Sequence, residues 1–512
     1  MMKRLLAFSL VFLMLASLVA CSDTQETLSG TSSAAESTPA ESEVSEEEKF
    51  VLFSNLPEVT FDGKTVKFLV EGDYMDTYKS VEVMPQPNSY ETLNSAIQDR
   101  NDLVEERFDV NIEEFRTSSS TEMANTLTEN ATAGLSEYDI VMPYVPVAAT
   151  AAQQGYFYDL RSLENIHWDM PYYDQGCVQG LSIGGKNYFL TGDMTLLASD
   201  VTHVLLFNKD VVVDYNLESP YDLVKSGKWT IDKLAEMAKK VTADIDGKSE
   251  WTHEDRYGFL VNHNFISSMF IGSGLRFTDK DNNDEPIITV YSENATKVFN
   301  KIFDLVNDPT ACGQIDNNAR GFGSTAVADG KTVWVAATEA IASKRCLFRA
   351  VSLNSILALG EYDCNFGVLP TPKFEEAQEN YYCRVSTIYA SCIAIPVNVG
   401  DVEKSSVIAD AMMQASTDTV TEAYIEVIMK ERKIQDDESE AMMDLIFDSR
   451  TYDFGTVFNW GGSGESDSNS ITGFMNNIAW SGTNTFVSSW ETIANGVEKA
   501  MNDTVEIFKN LD

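Results

Sequence analysis

Two classes of side chain dominate the possible chemistry of this sequence. Its 512 residues include 20 tyrosines, seven tryptophans and 79 acids. A flat aromatic face joined by planar polar groups that form paired hydrogen bonds to hydroxyls suits a sugar-like solute. Trp460 lies in Phe458-Asn459-Trp460-Gly461-Gly462-Ser463-Gly464, a Gly- and Ser-rich loop that predicts an exposed stacking ring. Trp480 and Trp490 sit near helical patterns and rank lower. Asp244-Ile245-Asp246-Gly247-Lys248 has the flavour of a calcium loop, in which carboxylates and carbonyls hold the ion. Gly247 comes early, however, and Lys248 stands in the middle. A solvated turn is therefore expected and no metal is assigned, with Asp244 and Asp246 only weak candidates. His167, His203, His253 and His263 are scattered and lack metal-ligand spacing, so neither a transition metal nor another cofactor is expected. No Gly-x-Ser-x-Gly, His-Glu-x-x-His or phosphate-binding Gly-x-x-x-x-Gly-Lys motif occurs, and no carboxylate pair stands out. The expectation is a protein that is not an enzyme.

Cys21 offers a different reaction. Lys3 and Arg4 precede the apolar run Leu5 to Val19, which is too short to span a bilayer, and Ala20 stands directly before the thiol. This resembles the lipobox of a bacterial lipoprotein, where a diacylglyceryl group is attached before cleavage exposes the cysteine as the new N-terminus. Two acyl chains hold a membrane stably where one would be marginal. Residues 1–20 are therefore read as a lipoprotein signal peptide and Cys21 as the lipid attachment site. The alternative is an ordinary secretory signal. Residues 21–49 are rich in Ser, Thr, Ala and Glu and poor in large apolar side chains, which predicts a disordered tether.

About 460 residues follow the tether, enough for two large lobes. The formal charge of −42, from 79 acids against 37 bases, repels nucleic acid and anionic surfaces. No nucleic-acid partner is expected, and a monomer is. Cys177, Cys312, Cys346, Cys364, Cys383 and Cys392 could pair in 15 ways, which an exported protein permits without requiring.

The body opens with an alternating strand pattern over Lys64 to Val70, a helical rhythm over Leu93 to Phe108, and a strand over Val110 to Phe115. A helix over Glu122 to Ala133 and a short buried strand at Tyr138 to Met142 come next. Strand, helix, strand, helix, strand implies a parallel sheet, whose ligands gather at loops beyond the strands' carboxyl ends. Tyr74 and Tyr144 lie on those loops. Thr230 and Asp232 predict a helix start before Ile231 to Val241, and Gly184-Gly185 a hairpin. Alternation over Thr332 to Glu339 predicts a strand with Trp334 turned inward.

Several blocks, taken in order, resemble the extracellular solute-binding proteins of ABC importers, especially the carbohydrate-type group. They are Asp99 to Val110, Tyr138-Asp139-Ile140-Val141, Gly155 to Leu160 and Trp168 to Asp174, where Tyr172 and Tyr173 replace the usual Trp pair. Gly184 to Phe189, Gly192-Asp193, Phe207 to Asp210, Gly227 to Leu234, Arg256 to Phe259, Phe366 to Lys373 and Ile393 to Pro396 continue the match. The resemblance implies an α/β, two-lobed, periplasmic-binding-protein-like (type II) fold with an interlobe hinge and ligand cleft. It places residues 50–196 plus 334–390 in lobe 1 and 197–333 plus 391–512 in lobe 2, with crossings near Asp193 to Thr202, Lys331 to Val335 and Tyr389 to Ile395. Tyr74, Tyr144, Asp193, Asp200, Glu339 and Trp460 are the candidate ligand-binding residues. The implied function is capture of a small solute outside the membrane and its delivery to ABC permease subunits, with an oligosaccharide as the leading solute and a peptide or other polar solute as the rival. The protein would sit on the extracellular face of the cell membrane through its lipid anchor. The alternatives are a surface glycan-binding adhesion lipoprotein without a permease and a lipid-anchored carbohydrate-active enzyme.

Overall fold

In the expected first sheet, Val66, Phe68 and Val70 alternate inward and are fully buried. The computed structural model describes residues 51–72, 78–87, 89–248, 250–318, 321–323, 325–327, 329–427 and 437–511. Cys21, the signal and the tether lie outside them.

Strands β1 (Lys64–Glu71), β2 (Val110–Thr117) and β3 (Ile140–Met142) form a parallel sheet in the order β2-β1-β3, with Val66 opposite Ile112 and Phe68 opposite Ile140. Antiparallel bridges Val141–Ala394 and Leu190–Ile393 extend it. Helices α1 (Glu91–Phe108), α2 (Ser120–Ala133) and α3 (Val145–Gln153) connect or follow these strands. Ser119 caps α2 by accepting from the Glu122 amide, and Gly134 ends it at φ 65°. The short helix α4 (Gln175–Gly180) hangs on this sheet's outer edge, where the Asp174 amide donates to the Thr191 carbonyl.

The second sheet has the order β10-β4-β9-β5-β8, built from β4 (His203–Asn208), β5 (Tyr257–Val261), β8 (Cys312–Gln314), β9 (Cys346–Ser352) and β10 (Phe366–Leu369). A separate hairpin pairs β6 (Thr278–Lys280) with β7 (Pro286–Ile288). Helix α5 (Ile231–Val241) packs on β5, and its cap is the expected one, Thr230 accepting from the Lys233 amide at 3.2 Å. Helix α6 (Phe265–Gly272) follows β5 and is buried throughout.

Three features depart from the sequence reading. Residues 332–339 are not a strand: they open helix α7 (Val333–Ala342), capped by Thr332, and Trp334 is 45% exposed. Strands β9 and β10 pair within the second sheet, so residues 346–369 lie with that sheet and not with the first, and because β8 precedes them in the same sheet the segment at Lys331 to Val335 is no crossing. Helix α8 (Val402–Ser416) returns to the first sheet, where Val407, Ile408, Met412 and Met413 join the core with Val66 and Phe68. The chain leaves the first sheet after Gly192 and enters the second at His203. It comes back between Val385, bridged to Thr202, and Ser391, bridged to Tyr144. Helix α9 (Glu422–Glu426) leads toward α10 (Asp437–Asp448), which packs on β10. After it, β12 (Arg450–Thr451) pairs with β11 (Cys383–Arg384), and α11 (Phe454–Phe458) and α12 (Phe486–Lys509) pack on α3. All six cysteines beyond Cys21 are buried free thiols.

Candidate functional site

The carboxyl ends of β1 and β3 meet the return crossing at a cluster of three tyrosines. Tyr78 follows β1, Tyr144 caps α3 after β3, and Tyr389 lies on the return segment. Tyr78 and Tyr389 stack at 4.4 Å with 12° between their planes, while Tyr144 meets Tyr389 edge-on at 6.1 Å. The Tyr144 hydroxyl donates to the Tyr78 carbonyl at 2.7 Å, and its amide donates to Glu71 at 3.0 Å. Glu71 also accepts from the Ser120 hydroxyl; burial raises its pKa, and these two donors oppose the rise. Tyr144, 1% exposed, thus supports the pair from beneath.

Glu82 secures the next turn of the same loop. Its buried carboxylate accepts from the Leu197 amide at 2.9 Å and from the Ser80 and Ser391 hydroxyls. Burial raises its pKa, against these bonds and the nearby Arg116. One carboxylate therefore fastens the loop after β1 to both hinge segments.

Asp200 supplies the acid facing this cluster. Burial pushes its pKa up to about 7, the Tyr424 hydroxyl opposes the rise, and Glu82 adds to it. Tyr424, on α9, donates to Asp200 at 2.6 Å, and the Asp200 carbonyl accepts from the Asn354 amide at 3.0 Å. Burial raises the pKa of Tyr78, and the neighbouring Ser352 and Asn354 side chains oppose the rise. The first sheet's aromatic pair therefore meets the end of β9, a strand of the second sheet. A half-ionised carboxyl beside stacked rings can donate to or accept from a hydroxylated ring.

Of the expected residues, Tyr144 and Asp200 come together here, and Tyr74 lies outside the described residues. Asp193 accepts from Thr417 at 2.7 Å, and its carbonyl from Thr421, which ties the crossing to the end of α8. Glu339 sits on α7 paired with Lys331 at 2.7 Å. Trp460 is not an exposed platform: it is 3% exposed, its Nε1 donates to Thr504 at 2.9 Å, and it stacks on Phe458. Gly461 turns the chain after it at φ 88°, and the Ile471 amide donates to the Trp460 carbonyl. His203 is a core residue, stacked on Phe265 at 5.2 Å, with burial pushing its pKa down to about 3.

Sequence reasoning missed Tyr78, Tyr389, Tyr424 and Asn354. Tyr78 shares its loop with Tyr74, and Tyr389 opens the segment expected as a crossing, so both had a positional signal. Tyr424 and Asn354 had none.

Asp244, Asp246 and Asp255 bring carboxylate oxygens within 4.8 Å of one another. Lys248 already pairs with Asp246 at 2.8 Å, and Asp255 accepts from the Ile245 and Thr252 amides. The lysine stands where a calcium loop needs an oxygen, and these bonds describe a self-satisfied turn.

Residues 102–426, more than half of the chain, match the sequence pattern of the bacterial extracellular solute-binding proteins. No curated protein matches the chain. Solved structures share the fold at low identity. RafE from Streptococcus pneumoniae, in its apo form, is 14% identical over 87% of this chain and 99% of that one, with a TM-score of 0.51. A cyclo/maltodextrin-binding protein complexed with maltotetraose is 15% identical over 87% and 97%, with a TM-score of 0.50. UgpB from Mycobacterium tuberculosis, in complex with glycerophosphocholine, is 12% identical over 80% and 95%, also at 0.50. With its two sheets joined at a hinge and this match over most of its body, the chain belongs to the bacterial extracellular solute-binding proteins.

Proposed function

We propose that the protein captures an oligosaccharide between its two lobes and delivers it to the permease of an ABC transporter, while Cys21 holds it by a lipid on the outer face of the cell membrane. The observation that carries this reading is the Tyr78–Tyr389 stack at the hinge, with Asp200 beside it and Ser352 and Asn354 reaching it from the second sheet. A solute touching groups from both lobes binds the closed arrangement better than the open one, and that difference in affinity drives closure. Maltotetraose in one protein of the same fold is consistent with such a ligand. The reading is one of binding and transfer, and it invokes no catalysis.

The test is a panel of neutral oligosaccharides followed by thermal denaturation and solution scattering. A binding sugar raises Tm and lowers the radius of gyration, and Tyr389→Ala moves both changes to about tenfold higher sugar concentration. Retention on insoluble glycan with no response to any soluble sugar would instead support an adhesion role, and turnover of a glycan would support an enzyme.

A further inference from the structure

A cavity of about 720 Å³ opens between α4, β6, the 380–382 segment and the chain from Leu445 to Phe454, and it shares no lining residue with the tyrosine cluster. Its walls come from both halves of the molecule: α4 is fixed to the outer edge of the first sheet, and β6 follows α6 beyond the second.

The charges on these walls are unequally committed. Arg450 is paired with Asp174 at 2.9 Å, and Lys280 with Asp284 at 3.0 Å. Arg276 is different. Its guanidinium lies 4.5 Å over the Tyr382 ring, and among the described residues its one hydrogen bond goes to the neighbouring Leu275 carbonyl at 2.9 Å. Asp453 lies near enough to act on it electrostatically but spends its oxygens on the Phe277 and Gly455 amides and on Thr278. Most of the donor fork of Arg276 is therefore unspent and faces the cavity, where it matches a carboxylate in two-point geometry. Gln175, also on the wall, shares its Nε2 hydrogens among the Trp168, Met170 and Tyr173 carbonyls, so the polar atom it has left for a hydroxyl is the acceptor Oε1. Gln179 and Asn380 add exposed amides at the rim. Asp279 and Asp448 also line the space, and their field disfavours a multiply charged anion.

We propose that this cavity is a second binding site, for a monocarboxylate with a polyhydroxyl body such as a uronic acid, anchored by Arg276. The site is independent of oligosaccharide capture at the tyrosine cluster, so either reading can fail alone.

Titration calorimetry with D-glucuronate, glucose, citrate and inorganic phosphate tests it. Glucuronate binds; Arg276→Gln weakens it by about tenfold or more, the loss expected for a charge-assisted bond. Arg276→Lys, which keeps the charge without the fork, also weakens it, and Tyr389→Ala leaves it unchanged. An unliganded Tm for Arg276→Gln equal to that of the parent shows that the fold is intact. The proposal is overturned if glucuronate fails to bind, if Arg276→Gln binds it equally well, if Tyr389→Ala abolishes its binding, or if citrate or phosphate binds as tightly.

Discussion

Asp200 concentrates the residue-scale chemistry of the hinge. An unfolded aspartate ionises near 3.9, whereas burial moves Asp200 to about 7. Between those values the folded state keeps a proton that the unfolded state has released. Its contribution to stability is therefore fullest below about pH 4 and declines as pH rises through 7. Asp200→Asn keeps an oxygen for the Tyr424 hydroxyl and removes the titration. The variant should match the parent in urea denaturation at pH 4 and exceed it by about 1 kcal/mol or more at pH 8. A parallel pH profile for the two proteins would contradict the raised pKa. Tyr389→Ala acts through a different quantity: it removes one ring of the stack and should weaken oligosaccharide binding by about tenfold, with a small change in Tm because Tyr389 is only partly buried.

Helix α8 carries the clearest case at the scale of an element. Its Asp410 has a fully buried side chain and accepts from the Tyr172 and Tyr173 hydroxyls at 3.0 Å, from the His167 amide at 2.9 Å and from Gln414 at 2.9 Å. Removing this acceptor strands several buried donors. Asp410→Ala should thus cost about 3 kcal/mol or more in chemical denaturation, while Asp410→Asn, which keeps one oxygen, costs less. The Tyr172-Tyr173 pair was visible in the sequence as a departure from the family's Trp pair, but its partner 237 residues away was not. Helix α1 divides in the same way. Its rhythm placed Leu93, Ala96, Ile97, Val104 and Phe108 on the buried face, as found, yet Leu103 is 41% exposed. Arg100 and Asn101 take the buried positions and donate to the Glu82 and Val83 carbonyls. Periodicity reads apolar stripes, and it cannot see a polar pair whose burial depends on a distant loop. Helix α7 fails for another reason. A short run of β-branched residues alternates like a strand, while the Thr332 cap and packing on β9 make it helical.

For the whole molecule, the proposed anchoring turns on how the protein would stay near a membrane. Among the described residues no helix is long and apolar enough to cross one. A formal charge of −42 opposes adsorption to anionic lipid. Under the proposed anchoring, residence at the membrane would rest on the N-terminal segment, where acylation at Cys21 would supply two chains and the acidic, Ser-rich residues up to 49 would give the body reach. Cys21→Ser removes the acceptor thiol and leaves every described residue in place. The variant should appear in the medium or in the soluble fraction, with oligosaccharide affinity equal to that of the parent. Fractionation followed by immunoblotting measures the first outcome, and titration of the released protein measures the second. A variant that stays with the membrane would show that something other than the lipid holds the protein. A released variant with weakened binding would mean that the tether contributes to the cleft, against the reading of residues 21–49 as a passive spacer.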